Sequence, residues 1–390
     1  MAILDRMLES GHDDIAGFTP VTILPSVPKV EIMSALEKPM PPRVVHLLGG
    51  LRVIDDQSGV VTIHGGLDQP IGQFAGSTYS DLYRQIRSFD LSVVGAEFLN
   101  LQSHKGLAAP DWQCASAAGG FKILSERNLW AQVRHAAGKD GRPVIFDIAA
   151  RVSTYLDLLP IRIFELSRSY QRSLRSHCAD RVAPKKRDNT FFQNSFQRYI
   201  DAAIHAFVAD AASFRDLIAE SVWRLVLQQN ESVTTLARFL KRAKESEDEI
   251  AQSILAAGRE GGWLYSLTNL RNHITHVAPV GRASAFHMSQ DRLVKIGPSF
   301  EVSTLHYALL DSNGVVREAP EPDFRDAANM RAALEEYRTF CNTSLDALAY
   351  SWSTLDKLVG LISEVRTSAG LRAEMPVITD KDLIGKVRFR

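Results

Sequence analysis

Apolar and polar positions alternate differently in the two parts of this chain. From Phe18 to Pro42 the run is broken by Pro20, Pro25, Pro28, Pro39, Pro41 and Pro42. Each proline removes a backbone donor and disfavours helix in the residue before it, so this stretch reads as extended entry chain. Arg43 to Leu48 is a short apolar run. Leu51 to Ile63 carries β-branched residues on both sides of Asp55-Asp56-Gln57-Ser58-Gly59, a turn-forming cluster that predicts a hairpin. Tyr79 to Ile86 and Glu126 to Ala137 have helical spacing, and Val144 to Ile148, bounded by Gly141 and Pro143, reads as a buried strand.

After about Ala150 long segments without glycine or proline carry apolar residues three and four apart, which predicts helices. They are expected at about Arg162 to Ser176, at Phe191 to Gln228 with one break allowed, at Ser232 to Ala257, and at Trp263 to about His276. Phe196, Ile200, Ile204, Phe207 and Ala211 form the apolar stripe of the second, and Ser232 is the expected N-cap of the third. Between Ala285 and Val316 short apolar runs are separated by Gly297-Pro298 and by Asn313-Gly314, a strong hairpin-turn pair. Helical spacing resumes at Asp323 or Phe324 and continues through Leu334, Tyr337, Leu345, Leu348, Trp352, Leu355, Leu358 and Ile362 to Val365. The expected fold is therefore mainly α. A helical bundle over residues 151–366, with a β-hairpin insertion at about 285–316, follows a smaller mixed α/β module of unknown role at 1–150 and precedes a tail at 367–390.

Composition narrows the class. Apolar residues are 45% and charged residues 23%, as in folded globular chains. The 45 basic and 45 acidic residues cancel to a formal charge of +0, so attraction to nucleic acid or to an anionic membrane has to be local. Cys114, Cys178 and Cys341 are few, odd in number and widely spaced, which fits neither a disulfide framework nor a cysteine zinc site and suggests a reducing compartment. Asp5, Arg6, Glu9, Asp13 and Asp14 interrupt the first residues, unlike a secretory signal, and no run approaches the roughly 18 apolar residues of a membrane span. The expectation is a cytoplasmic protein with no membrane partner.

The densest candidate chemistry lies in Tyr265 to Pro279, where Arg271 and Asn272 precede His276 near a helix-ending proline. These residues resemble the R-x4-6-H motif of the HEPN (higher eukaryotes and prokaryotes nucleotide-binding) superfamily, in which a polar residue follows the arginine. The specific match covers only the neighbourhood of Leu270 to Pro279, while the helical layout extends it to about Tyr155–Val365. The resemblance implies a HEPN-like bundle, metal-independent endoribonuclease activity without a cofactor, RNA as partner, and a homodimer in which two motifs meet. It also implies a role like that of prokaryotic toxins and antiviral effectors, leaving residues 1–150 to sense or to receive a regulatory protein.

Elementary chemistry agrees with that motif. RNA cleavage without a metal needs a base for the 2′-hydroxyl and a cation for the phosphorane charge. An imidazole such as that of His276 can serve as a base near neutrality, and a guanidinium such as that of Arg271 can hold a phosphate through paired hydrogen bonds. At about 100° per residue Arg271 and His276 stand about 140° apart on a helix, whereas Asn272 and His276 share a face. Either the helix loosens before Pro279 or a second copy completes the site. His273 is an auxiliary candidate as second base or substrate contact, or else a packed or solvated side chain.

A second feature is the stretch from Arg162 to Arg187, with eight basic residues (Arg162, Arg168, Arg172, Arg175, Arg181, Lys185, Lys186, Arg187) against Glu165 and Asp180, a local +6. Arg168, Arg172, Arg175, Lys185, Lys186 and Arg187 are candidate RNA contacts; a solvated helix face is the alternative. Other readings remain open for the motif: cations gathered at a helix end, a His273–His276 metal pair in a divalent-metal hydrolase, or a non-catalytic scaffold that binds RNA or a partner protein. The glycines of His46–Gly50 and His64–Gly66 fit no phosphate-loop pattern, and Ser116 lies in no nucleophile elbow.

Overall fold

A computed structural model of the chain describes residues 42–56, 58–67, 70–75, 78–99, 111–117, 119–179, 190–277, 280, 288–296, 300–316 and 325–375. The proline-rich entry up to residue 41, Lys185, Lys186, Arg187, Pro279, Gly297-Pro298 and the tail from residue 376 lie outside these.

The architecture corrects the mainly α expectation. It is a mixed α/β fold in which 58% of the described residues are helical, with a six-stranded antiparallel sheet and two smaller sheets. The large sheet contains β1 (Arg43–Leu47), β2 (Arg52–Asp55), β3 (Val60–His64), β4 (Pro70–Ala75), β5 (Val93–Phe98) and β6 (Asp111–Cys114), in the order β4-β3-β2-β1-β5-β6. The expected hairpin is present: β2 pairs with β3 in the register Asp55↔Val61. Periodicity missed β4, β5 and β6 because Gly72 and Gly95 interrupt the first two and the third has only four residues, so pairing to a neighbour is what makes each a strand.

The helices are α1 (Tyr79–Ser88), α2 (Lys122–Lys139), α3 (Pro143–Ala179), α4 (Gln197–Ser221), α5 (Leu236–Arg242), α6 (Glu249–Ala257), α7 (Trp263–His276), α8 (Ala327–Thr343) and α9 (Ala347–Ser368). The strand expected at Val144 to Ile148 is instead the opening of α3. Val144 and Phe146 are exposed while Ile148, Ala149 and Val152 are buried, a helical rather than an alternating pattern. Proline at the first helical position starts the helix, since its fixed φ suits a helix and its missing N–H has no partner there. The helix expected from Ser232 is split into α5 and α6. Thr235 caps the first by accepting from Arg238 N (3.3 Å), and Asp248 caps the second by accepting from Ala251 N (2.9 Å).

The β segment is present but paired differently. β8 (Ser289–Ile296) and β9 (Phe300–His306) form a hairpin that β7 (Thr190–Phe192) extends to three strands. Gly314, at φ +76°, makes the expected turn, with Asp311 Oδ1 accepting from Asn313 N and Val315 N. Yet β10 (Ala308–Leu310) before it pairs with β11 (Leu345–Asp346), far along the chain.

The large sheet and most helices share one apolar core from Val45 and Leu47 to Ile362 and Val365, and α8 packs into a small separate cluster of Ala308, Tyr337 and Cys341. α3 runs through residue 150 and packs against β5, β6, β9 and the turn at Leu48–Gly50. Gly49 and Gly50 in that turn have φ of +73° and +80°. A Cβ on Gly49 would lie 2.7 Å from Thr304, and one on Gly50 would lie 3.2 Å from the Tyr170 backbone. Only glycine lets the turn approach both so closely. α4 lies along α3 and also carries α7 and α9, so the surface bearing the sequence motif rests on the most buried helix of the layer.

Candidate functional site

α7 buries Leu264, Leu267, Leu270 and His273 at helical spacing and leaves Arg271, Asn272, Thr275 and His276 exposed. The helix does not loosen before its end: its cap, Val277, still donates its N–H to the His273 carbonyl (2.9 Å). Arg271 and His276 therefore keep their angular separation of about 140°. Arg271 turns instead to its neighbour, and Nη1 donates to Asn272 Oδ1 at 3.2 Å. His273 is buried at 7% exposure, so the structure brings Arg271 and Asn272 together, keeps His276 beside them at the helix end, and draws His273 inward.

Arg271 also borders a cavity of about 210 Å³ between α4 and α7. α4 contributes His205, Arg215 and Asp216 to it, and α7 contributes Arg271, Ile274 and Thr275. Arg215 is nearly buried and held in place, with Nη1 donating to Thr268 Oγ1 (2.7 Å) and Nε and Nη2 donating to Asp216 Oδ1 (3.1 and 2.8 Å). His205 Nε2 accepts from Val280 N (2.9 Å), and burial pulls the imidazole below its ordinary value. Its neutral form therefore carries the proton on Nδ1, which is a donor. The sequence motif did not reveal His205, Arg215 or Asp216. A signal existed: His205, Ala209, Ala212 and Asp216 recur at three- and four-residue spacing with small residues between polar ends, beside the apolar stripe.

The basic stretch is divided. Arg162 is paired with Asp210 and Glu165. Arg168 lies over the Phe164 ring at 5.3 Å and influences His46 and Glu97 of the large sheet. Arg172 and Arg175 are exposed on α3. None of these borders the α4–α7 cavity.

Two further constellations escaped sequence reasoning. Ser344 Oγ lies 2.9 Å from His306 Nε2, and His306 Nδ1 lies 3.7 Å from Asp346 Oδ2, a Ser–His–Asp order in space. The second distance exceeds a hydrogen bond. Asp346 Oδ2 already accepts from the Tyr170 hydroxyl (2.9 Å) and Tyr307 N (3.0 Å), and Ser344 Oγ donates to the Cys341 carbonyl (3.0 Å). Burial lowers His306 to about 4, too weak a base to activate serine at neutral pH. The group is a buried strut at the start of α9. A cavity of about 330 Å³ lies between α1 and α9, bordered by Arg87, Phe121 and Trp352, where Ser116 Oγ donates to Asp356 Oδ1 (2.8 Å). Nearby Cys114 is buried with its thiol pushed far up, which makes it unreactive.

No described helix is long and apolar enough to cross a membrane. Comparison with known proteins finds no match among family models, curated proteins or solved structures.

Proposed function

We propose that this chain is a metal-independent endoribonuclease of the HEPN type, with its site on the exposed end of α7. Arg271 holds the scissile phosphate, Asn272 orients Arg271, and His276 is the general acid/base. The observation that carries the reading is the exposed grouping of Arg271, Asn272 and His276, with the Arg271 guanidinium hydrogen-bonded to Asn272 and bordering a cavity. The base takes the proton of a ribose 2′-hydroxyl, and the oxygen attacks the adjacent phosphorus. The P–O5′ bond breaks, a 2′,3′-cyclic phosphate forms, and the departing 5′-oxygen takes up a proton. The guanidinium offsets the extra negative charge of the phosphorane.

Because Arg271 and His276 diverge on a regular helix, the chain acts as a homodimer in which one protomer's arginine works with its partner's histidine. RNA as substrate sets this action in the cytoplasm, and growth arrest by RNA cleavage is the role the resemblance implies.

The test is cleavage of a mixed RNA panel in EDTA by wild type and by Arg271→Ala and His276→Ala, with folding followed by circular dichroism. Each variant should stay folded and lose about 10²-fold or more of the activity. Undiminished cleavage by both would refute the site, and RNA binding without cleavage by wild type would favour the scaffold reading.

A further inference from the structure

We infer that the cavity between α4 and α7 is a subsite for a single unpaired nucleobase of the RNA strand, and that it selects guanine. This rests on the ribonuclease reading of α7 and adds what that reading leaves open, the sequence preference. Position is the first argument. Arg271 borders the cavity and is also the proposed phosphate ligand, so a base in the cavity belongs to a nucleotide adjoining the scissile bond. Size is the second. At about 210 Å³ the space lies below the roughly 300–1,000 Å³ of sites for drug-sized ligands and suits one ring system rather than a whole nucleotide.

Its walls supply the third argument. Val208, Ala209, Ala212 and Ile274 give an apolar lining, kept open because two of them are alanine. Single-stranded RNA is read in this way, by bases splayed into apolar slots and hydrogen-bonded along their edges. The polar groups then choose among bases. Arg215 Nε and Nη2 and Leu236 N all donate to Asp216 Oδ1, so among the described residues Oδ2 is left as an acceptor. Guanine presents adjacent N1–H and N2–H donors that converge on that one oxygen, and an O6 acceptor to a donor such as His205 Nδ1–H. Adenine and cytosine present an unprotonated ring nitrogen where the carboxylate needs a donor. Uracil has one N–H between two carbonyls, which the carboxylate repels. Paired hydrogen bonds of this kind discriminate by about 5- to 150-fold.

The test titrates the four nucleoside 3′-monophosphates into the full-length protein by calorimetry and maps the ends left on a mixed-sequence RNA. The guanosine monophosphate should bind about tenfold or more tightly than the other three. Asp216→Asn should abolish that advantage, and Ala209→Leu, which fills the cavity mouth from an exposed helical position, should abolish binding with the fold intact. Cleavage should fall next to guanosine. Equal affinity for the four nucleotides, or guanosine binding unchanged in Ala209→Leu, overturns the subsite whether or not RNA is cut. Guanosine-selective binding lost in the variants, with no RNA cleavage by wild type, supports the subsite and refutes the ribonuclease reading instead.

Discussion

The Tyr307 hydroxyl donates to Asp201 Oδ1, and burial pushes the Asp201 carboxyl up to about 7. Between about pH 4 and pH 7 the folded chain keeps a proton that the unfolded chain has released, so this group's contribution to stability falls as pH rises through that window. His306, lowered to about 4 by burial, has the opposite sign: its contribution is full above the ordinary histidine value and is lost as pH falls through about 4. Asp201→Asn removes only the first. The urea midpoint of this variant should exceed that of wild type by more at about pH 8 than at about pH 5, and a difference constant with pH would show that Asp201 does not titrate in this way. Residues of the candidate site were legible where they sit close in sequence: Arg271, Asn272 and His276 lie within two helical turns. His205 and Asp216 were not, because their nearness to Arg271 depends on how α4 meets α7, and no spacing along one helix encodes that. His273 continues the spacing of Leu264, Leu267 and Leu270, but a histidine at the end of an apolar stripe reads as packed or as solvated until the helix has a neighbour.

Helix caps at α6 and α9 use the same residue type in settings of different cost. Asp248 serves only the start of α6 and is half-buried, so Asp248→Ala should lower stability by about 1 kcal/mol. Asp346 caps α9 and also accepts from the buried Tyr170 hydroxyl and from Tyr307 N. Asp346→Ala leaves those donors without their acceptor and should cost about 3 kcal/mol or more, read by chemical denaturation beside Asp248→Ala. Equal losses in the two variants would mean that the buried donors find other acceptors. At this scale α7 was readable because its apolar positions and its exposed end follow one helical period, and the β2–β3 hairpin because turn residues separate two apolar runs. The opening of α3 was misread: five residues of Val144–Ile148 are too few to distinguish a strand from a first helical turn, and proline punctuates both. The single helix expected from Ser232 to Ala257 is broken because the Ser246 and Asp248 side chains offer the backbone an N-cap in place of continued helix.

Across the whole molecule, the large sheet and the helices form one packed body, tied by α3 and by the pair of Arg366 on α9 with Glu126 on α2 (2.7 Å), where Glu126 is only 4% exposed. A chain of residues 151–366 alone would lose the start of α3 and uncover the apolar side that meets β5 and β6. It should therefore show no cooperative unfolding transition, and a sharp one would restore the independence of a helical domain from residue 151. The sheet was illegible as a sheet because its antiparallel order is a property of pairing between segments as far apart as Arg43 and Phe98. The same regular geometry of α7 that separates Arg271 from His276 makes the shared site of two copies the central claim. It is tested most directly by mixing inactive Arg271→Ala and His276→Ala proteins under conditions that exchange subunits. Each mixed dimer would then hold one intact Arg271–His276 pair, so cleavage in EDTA should return to about a quarter of the wild-type level. A mixture as inactive as its two components would contradict a site built across two protomers.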